Sequence, residues 1–408
     1  MTNERYLAIL AIILASVVLI SSSLTVDASD SIEKDNGCST VGNVTLFSND
    51  SVNIKKITDE INELNIDTES PNYKKIAIID KSWLSNNSQS TIDTTVMENI
   101  ESGKIVLLFG DEDPLSSSNI SFSAYTSIEG VVARGLYVDS SGIGHSYKVV
   151  TQNQSYAREL TYEWVNSIQN ISNEETSNLN SYTNTVTRND DSPTGWVVMC
   201  YETIAVDIPG RGTSTLGMCI SKMINHMDED KDIFSVHYNF NGTPDVDEGY
   251  RLGDLDMEFI LSSGVLHKAE PQSTAGTSSS SVSVNFGSDF GNDNLSGGVG
   301  VSFAWEYSIN DVVITNEIVE PLERVKIDHD INEDKNVGKG YTAEPGLLVY
   351  KDVDEGWIEI MTHCTVVTYE KRTILGIIDQ YINQQSMWYG VQVSISNSNA
   401  YAQQFGIY

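Results

Sequence analysis

The chain reads as an α+β multidomain protein: a small α/β domain, then a mainly antiparallel β-sandwich carrying one amphipathic hairpin. Three observations point there. Apolar runs alternate with helical patterns between residues 74 and 171, strand-like runs follow one another through 195–408, and a Ser/Asn/Thr-rich linker at 172–194 lies between.

Residues 1–28 have the three-part layout of a secretory signal: Arg5 in a polar start, an apolar run from Leu7 to Ile20, and a polar stretch ending Val26-Asp27-Ala28. The run is 14 residues, and a helix that spans a bilayer needs ~20. Cleavage after Ala28 is therefore expected, with an uncleaved anchor as the alternative, and the mature chain is expected to be secreted or at the cell surface. No other segment is long and apolar enough to span as a helix, so membrane contact would need a surface or β-structure.

Residues 29–73 are polar and mixed, with a helical pattern around Ile54 to Leu64, and read as a surface lead-in. In 74–171, KIAIID and KIVLLFGD (104–111) are apolar strand runs, 90–103 and Ser155 to Gln169 are helix-like, and a largely parallel sheet is expected. Beyond the linker, strands are expected at 196–208, 213–224, 233–240, 254–263, 281–290, 299–315, 345–350, 356–370 and 387–396. Only Thr373 to Gln384 looks helical there.

With 57 acidic against 24 basic residues the formal charge is −33. Such a chain repels nucleic acid and anionic lipid. The charge is spread along the whole sequence, as solubility in a salty medium would require. Eight sequons begin at Asn43, Asn49, Asn86, Asn119, Asn153, Asn170, Asn241 and Asn294, and their crowding before residue 175 predicts a glycosylated, surface-displayed N-terminal region.

Four cysteines, Cys38, Cys200, Cys219 and Cys364, allow three pairings. Folding the strands at 196–208 and 213–223 about Pro209-Gly210 sets Cys200 opposite Cys219, because positions equidistant from the turn face each other. That bridge would leave Cys38 to Cys364 as a tether.

The hairpin carries the functional expectation. Val282, Val284, Phe286 and Phe290 alternate with Ser281, Ser283, Asn285, Gly287 and Asp289; after GNDNLSGG, Val299, Val301, Phe303, Trp305, Tyr307 and Ile309 alternate with Gly300, Ser302, Ala304, Glu306 and Ser308. Two strands of about ten residues, apolar on one face and small and polar on the other, match a membrane-spanning β-hairpin. An ordinary half-buried sandwich hairpin shows the same period. The Ser/Gly content of the polar face and the absence of Lys and Arg favour the membrane reading.

The run TSSSSVSVNFGSDFGNDNLSGGVGVSFAWEYSINDVVIT resembles the pre-stem of leukocidin/hemolysin-type β-barrel toxins: a Ser/Thr-rich lead, an alternating strand, a Gly/Asp/Asn tip, a Gly-Gly restart and a second alternating strand. The resemblance covers residues 254–370 at most. It implies secretion as a soluble monomer, homo-oligomeric assembly on a membrane lipid or cell-surface receptor, and one hairpin per subunit folded first against the sandwich. The stem would be 281–290 and 299–309, with Asp289 and Glu306 in the lumen. The alternative is a cell-surface structural or adhesion glycoprotein without pore activity.

No enzyme, cofactor or metal is expected. The six histidines lack zinc-binding spacing, no GxSxG elbow is present, and Asp228, Asp230 and Asp232, or Asp328, Asp330, Glu333 and Asp334, read as solvated acidic turns. Asp111, Glu112 and Asp113 read as a loop after a strand. Trp388 and Tyr389 read as buried sandwich aromatics or as a rim against headgroups.

Overall fold

A computed structural model describes residues 38–63, 73–115, 130–140, 142–171, 195–224, 230–274, 281–285, 304–308, 312–319, 324–331, 340–374, 378–397 and 400–407. The signal segment 1–28 and the whole of the linker, 172–194, lie outside the described residues.

The N-terminal half contains β1 (Cys38–Val41), β2 (Val44–Phe47), α1 (Ser51–Glu63), β3 (Ile76–Ile79), α2 (Lys81–Leu84), α3 (Gln89–Glu101), β4 (Ile105–Phe109), β5 (Val131–Val138), β6 (Gly144–Val150) and α4 (Gln154–Ile171). The four-residue β3 and five-residue β4 are buried throughout, as continuous Ile/Leu/Val runs require when helices cover both faces of a sheet. Strands β2, β3 and β4 run parallel, whereas β1 and β2, β4 and β5, and β5 and β6 pair antiparallel. The sheet is thus mixed rather than largely parallel; short connections such as the turn at Gly42 permit only antiparallel pairing. The expected lead-in is also part of this sheet: Val44, Leu46 and Ile57 are core residues, supplied by a period of two in β2 and by the apolar stripe of α1.

The C-terminal half contributes β7 (Gly195–Ile208), β8 (Gly212–Ile224), β9 (Lys231–Pro244), β10 (Tyr250–Ser263), β11 (Val265–Glu270), β12 (Ser281–Asn285), β13 (Ala304–Ser308), β14 (Val312–Val319), β15 (Arg324–Ile331), β16 (Tyr341–Ala343), β17 (Gly346–Asp352), β18 (Ile358–Ile374), β19 (Ile378–Ile395) and β20 (Ala400–Ile407). A 12-stranded sheet runs from β1 through β9 to β17 and β11, with β16 on β9; a six-stranded sheet has the order β14-β15-β10-β18-β19-β20. The two face each other as a sandwich. Their shared core joins Ile204, Leu216, Ile220, Val236 and Phe240 to Leu255, Phe259, Val325, Ile360 and Val393. Tyr238 and Phe259 meet across it with ring centroids 4.9 Å apart, and the Tyr238 hydroxyl lies 3.2 Å from Thr362 Oγ1.

The long sheet passes from one half to the other through a parallel ladder, Gly144–Val150 against Cys200–Val206. Fully buried charge sits on that seam. Lys148 Nζ donates to Glu202 Oε2 at 3.2 Å with both side chains sealed from water. Burial pulls both groups toward their neutral forms and each opposes that pull on the other. Beside them, Arg134 donates through Nε and Nη2 to the two oxygens of Asp113, both at 2.6 Å. Asp113, read from sequence as loop, is therefore turned into the interior, while Asp111 stays exposed and accepts from Lys81.

Neither expected disulfide forms; all four cysteines are free thiols. The β7–β8 turn holds three residues between Ile208 and Gly212, so Cys200 opposes Ile220 and Cys219 opposes Tyr201. That one-residue offset from the expected register puts the two thiols on opposite faces of the sheet. Cys200 points into the sandwich, its Sγ 3.4 Å from Ala400 O. Cys38 lies on the edge strand β1, and Cys364 is buried in β18, inside the other sheet. The expected helix at 373–384 is instead the end of β18 and the start of β19, paired from Lys371↔Tyr381 to Ile374↔Ile378. Tyr389 is core, and Trp388 is partly exposed.

Alkylation in denaturant without reductant should add four labels per chain; two or none would restore a disulfide. Removing one member of the seam pair, Lys148→Met, should destabilise the protein by roughly 3–5 kcal/mol, whereas Lys148→Met with Glu202→Leu should recover most of it. Chemical denaturation of both variants checks this.

Candidate functional site

Strands β12 and β13 form a two-stranded sheet that, among the described residues, pairs with neither large sheet. The register pairs Ser281↔Ser308, Val282↔Tyr307, Ser283↔Glu306, Val284↔Trp305 and Asn285↔Ala304. Directly opposed residues share a face. Val282, Val284, Trp305 and Tyr307 therefore fall on one face of the ribbon, and Ser281, Ser283, Asn285, Ala304, Glu306 and Ser308 on the other. Of the remaining hairpin residues, Phe286, Asp289, Phe290, Val299, Val301, Phe303 and Ile309 lie outside the described residues.

The ribbon's root is fastened to β14, the edge strand of the six-stranded sheet. Thr274 N donates to Ile314 O at 2.9 Å, and Ile314 N donates to Thr274 Oγ1 at 3.0 Å. Asn316 N donates to Ser273 Oγ at 2.7 Å, while the Asn316 amide donates to Pro271 O at 2.8 Å. The offset that pairs Ser281 with Ser308 also sets Ser273 beside Asn316, so the two limbs between root and hairpin have equal length.

On the outer face of the same sheet, close to the root, four aspartates form two cross-strand pairs, Asp254↔Asp330 and Asp256↔Asp328. Their β14 neighbours are Val313 and Thr315. Lys326 Nζ lies 3.5 Å from Asp256 and 3.8 Å from Asp328. Burial, then the hydrogen bond and charge of Asp328, push the Asp256 carboxyl up to about 7 against the pull of Lys326. The sequence showed Asp328 and Asp330 only as a run; which acids they would meet was fixed by the β10–β15 register.

Sequence reading also missed a row on the 12-stranded sheet. His145, Tyr201, Cys219 and His237 stand directly beside one another on β6, β7, β8 and β9. His145 stacks on Tyr201 with centroids 4.8 Å apart and lies 3.1 Å from Asp139. Burial raises the Cys219 thiol to about 11 and lowers His237 to about 3. At neutral pH this places a protonated thiol near an uncharged imidazole, which is not an activated nucleophile. Among the described residues no group of three His, Cys, Asp or Glu side chains could hold a metal ion.

Of the sequon residues, Asn49, Asn86 and Asn153 are exposed. Asn43 is half-buried, as is Asn241, whose amide donates to Thr342 Oγ1 at 2.8 Å. The side chain of Asn170, together with Asn119 and Asn294, lies outside the described residues.

No protein-family model matches the chain, and no curated protein matches it. Among solved structures it is similar to a pore forming protein (9% identity, TM-score 0.36, over 52% of this chain and 96% of that one). It is also similar to Clostridium perfringens delta-toxin (8%, TM-score 0.37, 54% and 96%). A third is the Clostridium perfringens NetB toxin in the membrane inserted form (8%, TM-score 0.32, 52% and 100%).

An unfolded aspartate titrates near ~3.9, so the protonated Asp256 of the folded state stabilises fully below that pH, and the contribution is lost as pH rises to about 7. Asp256→Asn should gain Tm relative to the parent across pH 4 to 7, reaching a few degrees at pH 8. A difference independent of pH in thermal melts would refute the assignment.

Proposed function

We propose that the chain acts on membranes outside the cytoplasm, and that hairpins spanning 281–309 from several copies close into one β-barrel pore. The observation that supports this most is that β12 and β13 pair with each other and, among the described residues, with no strand of either large sheet. A lone two-stranded ribbon is at best marginally stable in water. Its apolar face must be covered by the body or by lipid, and its two open edges must be paired before it can enter a bilayer.

Closure with neighbouring copies satisfies both edges. Val282, Val284, Trp305 and Tyr307 then meet lipid, joined by Phe286, Phe290, Val299, Val301, Phe303 and Ile309 if the period of two continues. Glu306 and Asp289 face the lumen with the Ser/Asn positions. The equal limbs let one ribbon run from the Ser273/Asn316 root to the tip without a slip in register. Membrane lipid or a cell-surface receptor recruits the monomer, and the copies assemble there. The exposed sequon residues Asn49, Asn86 and Asn153 favour a second reading, a surface adhesion glycoprotein, for which lipid would leave the protein monomeric.

A lysine on the lipid face of a barrel strand costs roughly 2–4 kcal/mol at the bilayer midplane. Val284→Lys and Trp305→Lys should therefore cut dye release from liposomes by tenfold or more, while Ser283→Lys on the lumen face should leave release within a fewfold of the parent. Equal effects on the two faces would sink the pore reading.

A further inference from the structure

Four strand ends gather at one edge of the long sheet. Phe47, Ile79 and Leu108 stand level where the parallel strands β2, β3 and β4 finish, and β6, two antiparallel steps from β4, runs the same way. The helices that follow these strands therefore start at that edge. Gln154, the first residue of α4, donates to Gly110 O, just past β4, at 2.7 Å, which ties the fourth end to the others. Open α/β sheets take their ligands at such an edge. In this chain the place is filled from within: Asp80, 4% exposed, accepts from Ser48 Oγ at 2.5 Å, Ser82 Oγ at 2.7 Å and Trp83 N at 3.0 Å.

Outside that network stand three asparagines from distant parts of the sequence. Asn49 follows β2, Asn86 precedes α3 and Asn153 precedes α4; all three are exposed, and so are the serines two residues on, Ser51, Ser88 and Ser155. The amides of Asn49 and Asn86 donate to the same carbonyl, Ser82 O, at 3.2 and 2.6 Å. Asn153 turns its oxygen to Ser155 N and Tyr156 N, which leaves the amide nitrogen on the outer branch. Helix capping accounts for Ser88 and Asn153. It does not account for Asn49 or Asn86, whose amides meet a carbonyl. Val52, 72% exposed, stands one residue after Ser51, where a sugar on Asn49 would take its methyl groups out of water.

Two other described sequons are placed differently. Asn43 is half-buried in the turn before β2, at the opposite edge, and its threonine, Thr45, is half-buried with it. Asn241 lies in β9 between β8 and β16, its amide donating to Thr342 Oγ1 at 2.8 Å and its oxygen accepting from Thr243 Oγ1 at 2.7 Å.

We propose that the edge formed by the ends of β2, β3, β4 and β6 is an N-glycosylated surface, with sugar on Asn153 and on Asn49, Asn86 or both, and none on Asn43 or Asn241. Transfer forms a bond between the asparagine Nδ2 and C1 of an oligosaccharide carried on a lipid phosphate; the bond from C1 to that phosphate breaks, the phosphate leaves with the electron pair, and the nitrogen gives up one proton. An asparagine amide has two N–H groups, so the one that remains can keep the bond to Ser82 O. The sugars hold this edge in water and close it to a partner chain. The inference stands whether or not the hairpin inserts.

Glycopeptide mapping by mass spectrometry, on the full mature chain isolated from its own source, tests it. Sugar is expected on the peptides of Asn153 and of Asn49 or Asn86, with Asn43 and Asn241 bare. Ser51→Ala, Asn86→Gln and Ser155→Ala in one chain spare the caps Ser88 and Asn153, and should strip those peptides of sugar with the helix content unchanged by circular dichroism. A bare Asn153, a bare Asn49 together with a bare Asn86, or sugar on Asn43 or Asn241 would each overturn the assignment.

Discussion

The parallel ladder between β6 and β7 is the constraint on which the rest of the architecture hangs. It turns two groups of strands, separated in sequence by a long polar stretch, into one continuous sheet. Lys148 and Glu202 sit on this ladder sealed from water, and Arg134 with Asp113 completes the group. Buried ions are poor sources of stability. Their value here is positional: a slip of one residue between the strands would put the two charges on opposite faces of the sheet and leave each without its counterion.

Parity governs the rest of the molecule in the same way. The three-residue turn between β7 and β8 decides that Cys200 joins the sandwich core and that Cys219 joins His145, Tyr201 and His237 on the opposite face. In the second sheet, the β10–β15 register brings two pairs of aspartates together beside the strand that leads from the hairpin. The sheet tolerates this like-charge contact because Lys326 is near and because Asp256 holds a proton that an isolated carboxyl would release.

Much of the fold was legible in the residues, and the limits are specific. The alternation in 281–290 and 299–309 contains the two described strands 281–285 and 304–308, and the helices at 89–101 and 154–171 followed from their apolar spacing. Pro209-Gly210 announced a turn without announcing whether two or three residues close it, and that single residue decided the disulfide. Thr373 to Gln384 misled because Ile374, Ile378 and Tyr381 satisfy a helical spacing as well as they satisfy the β18–β19 ladder that runs from Lys371↔Tyr381 to Ile374↔Ile378. Pairing with the neighbouring strand, which local pattern does not encode, chose the latter. The polar composition of 29–73 hid Val44, Leu46 and Ile57, since three well-placed apolar residues suffice to join a sheet.

The attachment of the hairpin has an evolutionary corollary. Among the described residues the ribbon's root meets the body at Ser273, Thr274, Ile314 and Asn316, beside an edge strand whose only described ladder is to β15. Everything beyond that collar can be lengthened, shortened or exchanged in paired steps while the sandwich keeps its own wiring, so the segment behaves as a cartridge. Selection on its tip and lining is thereby uncoupled from selection on the scaffold that carries it.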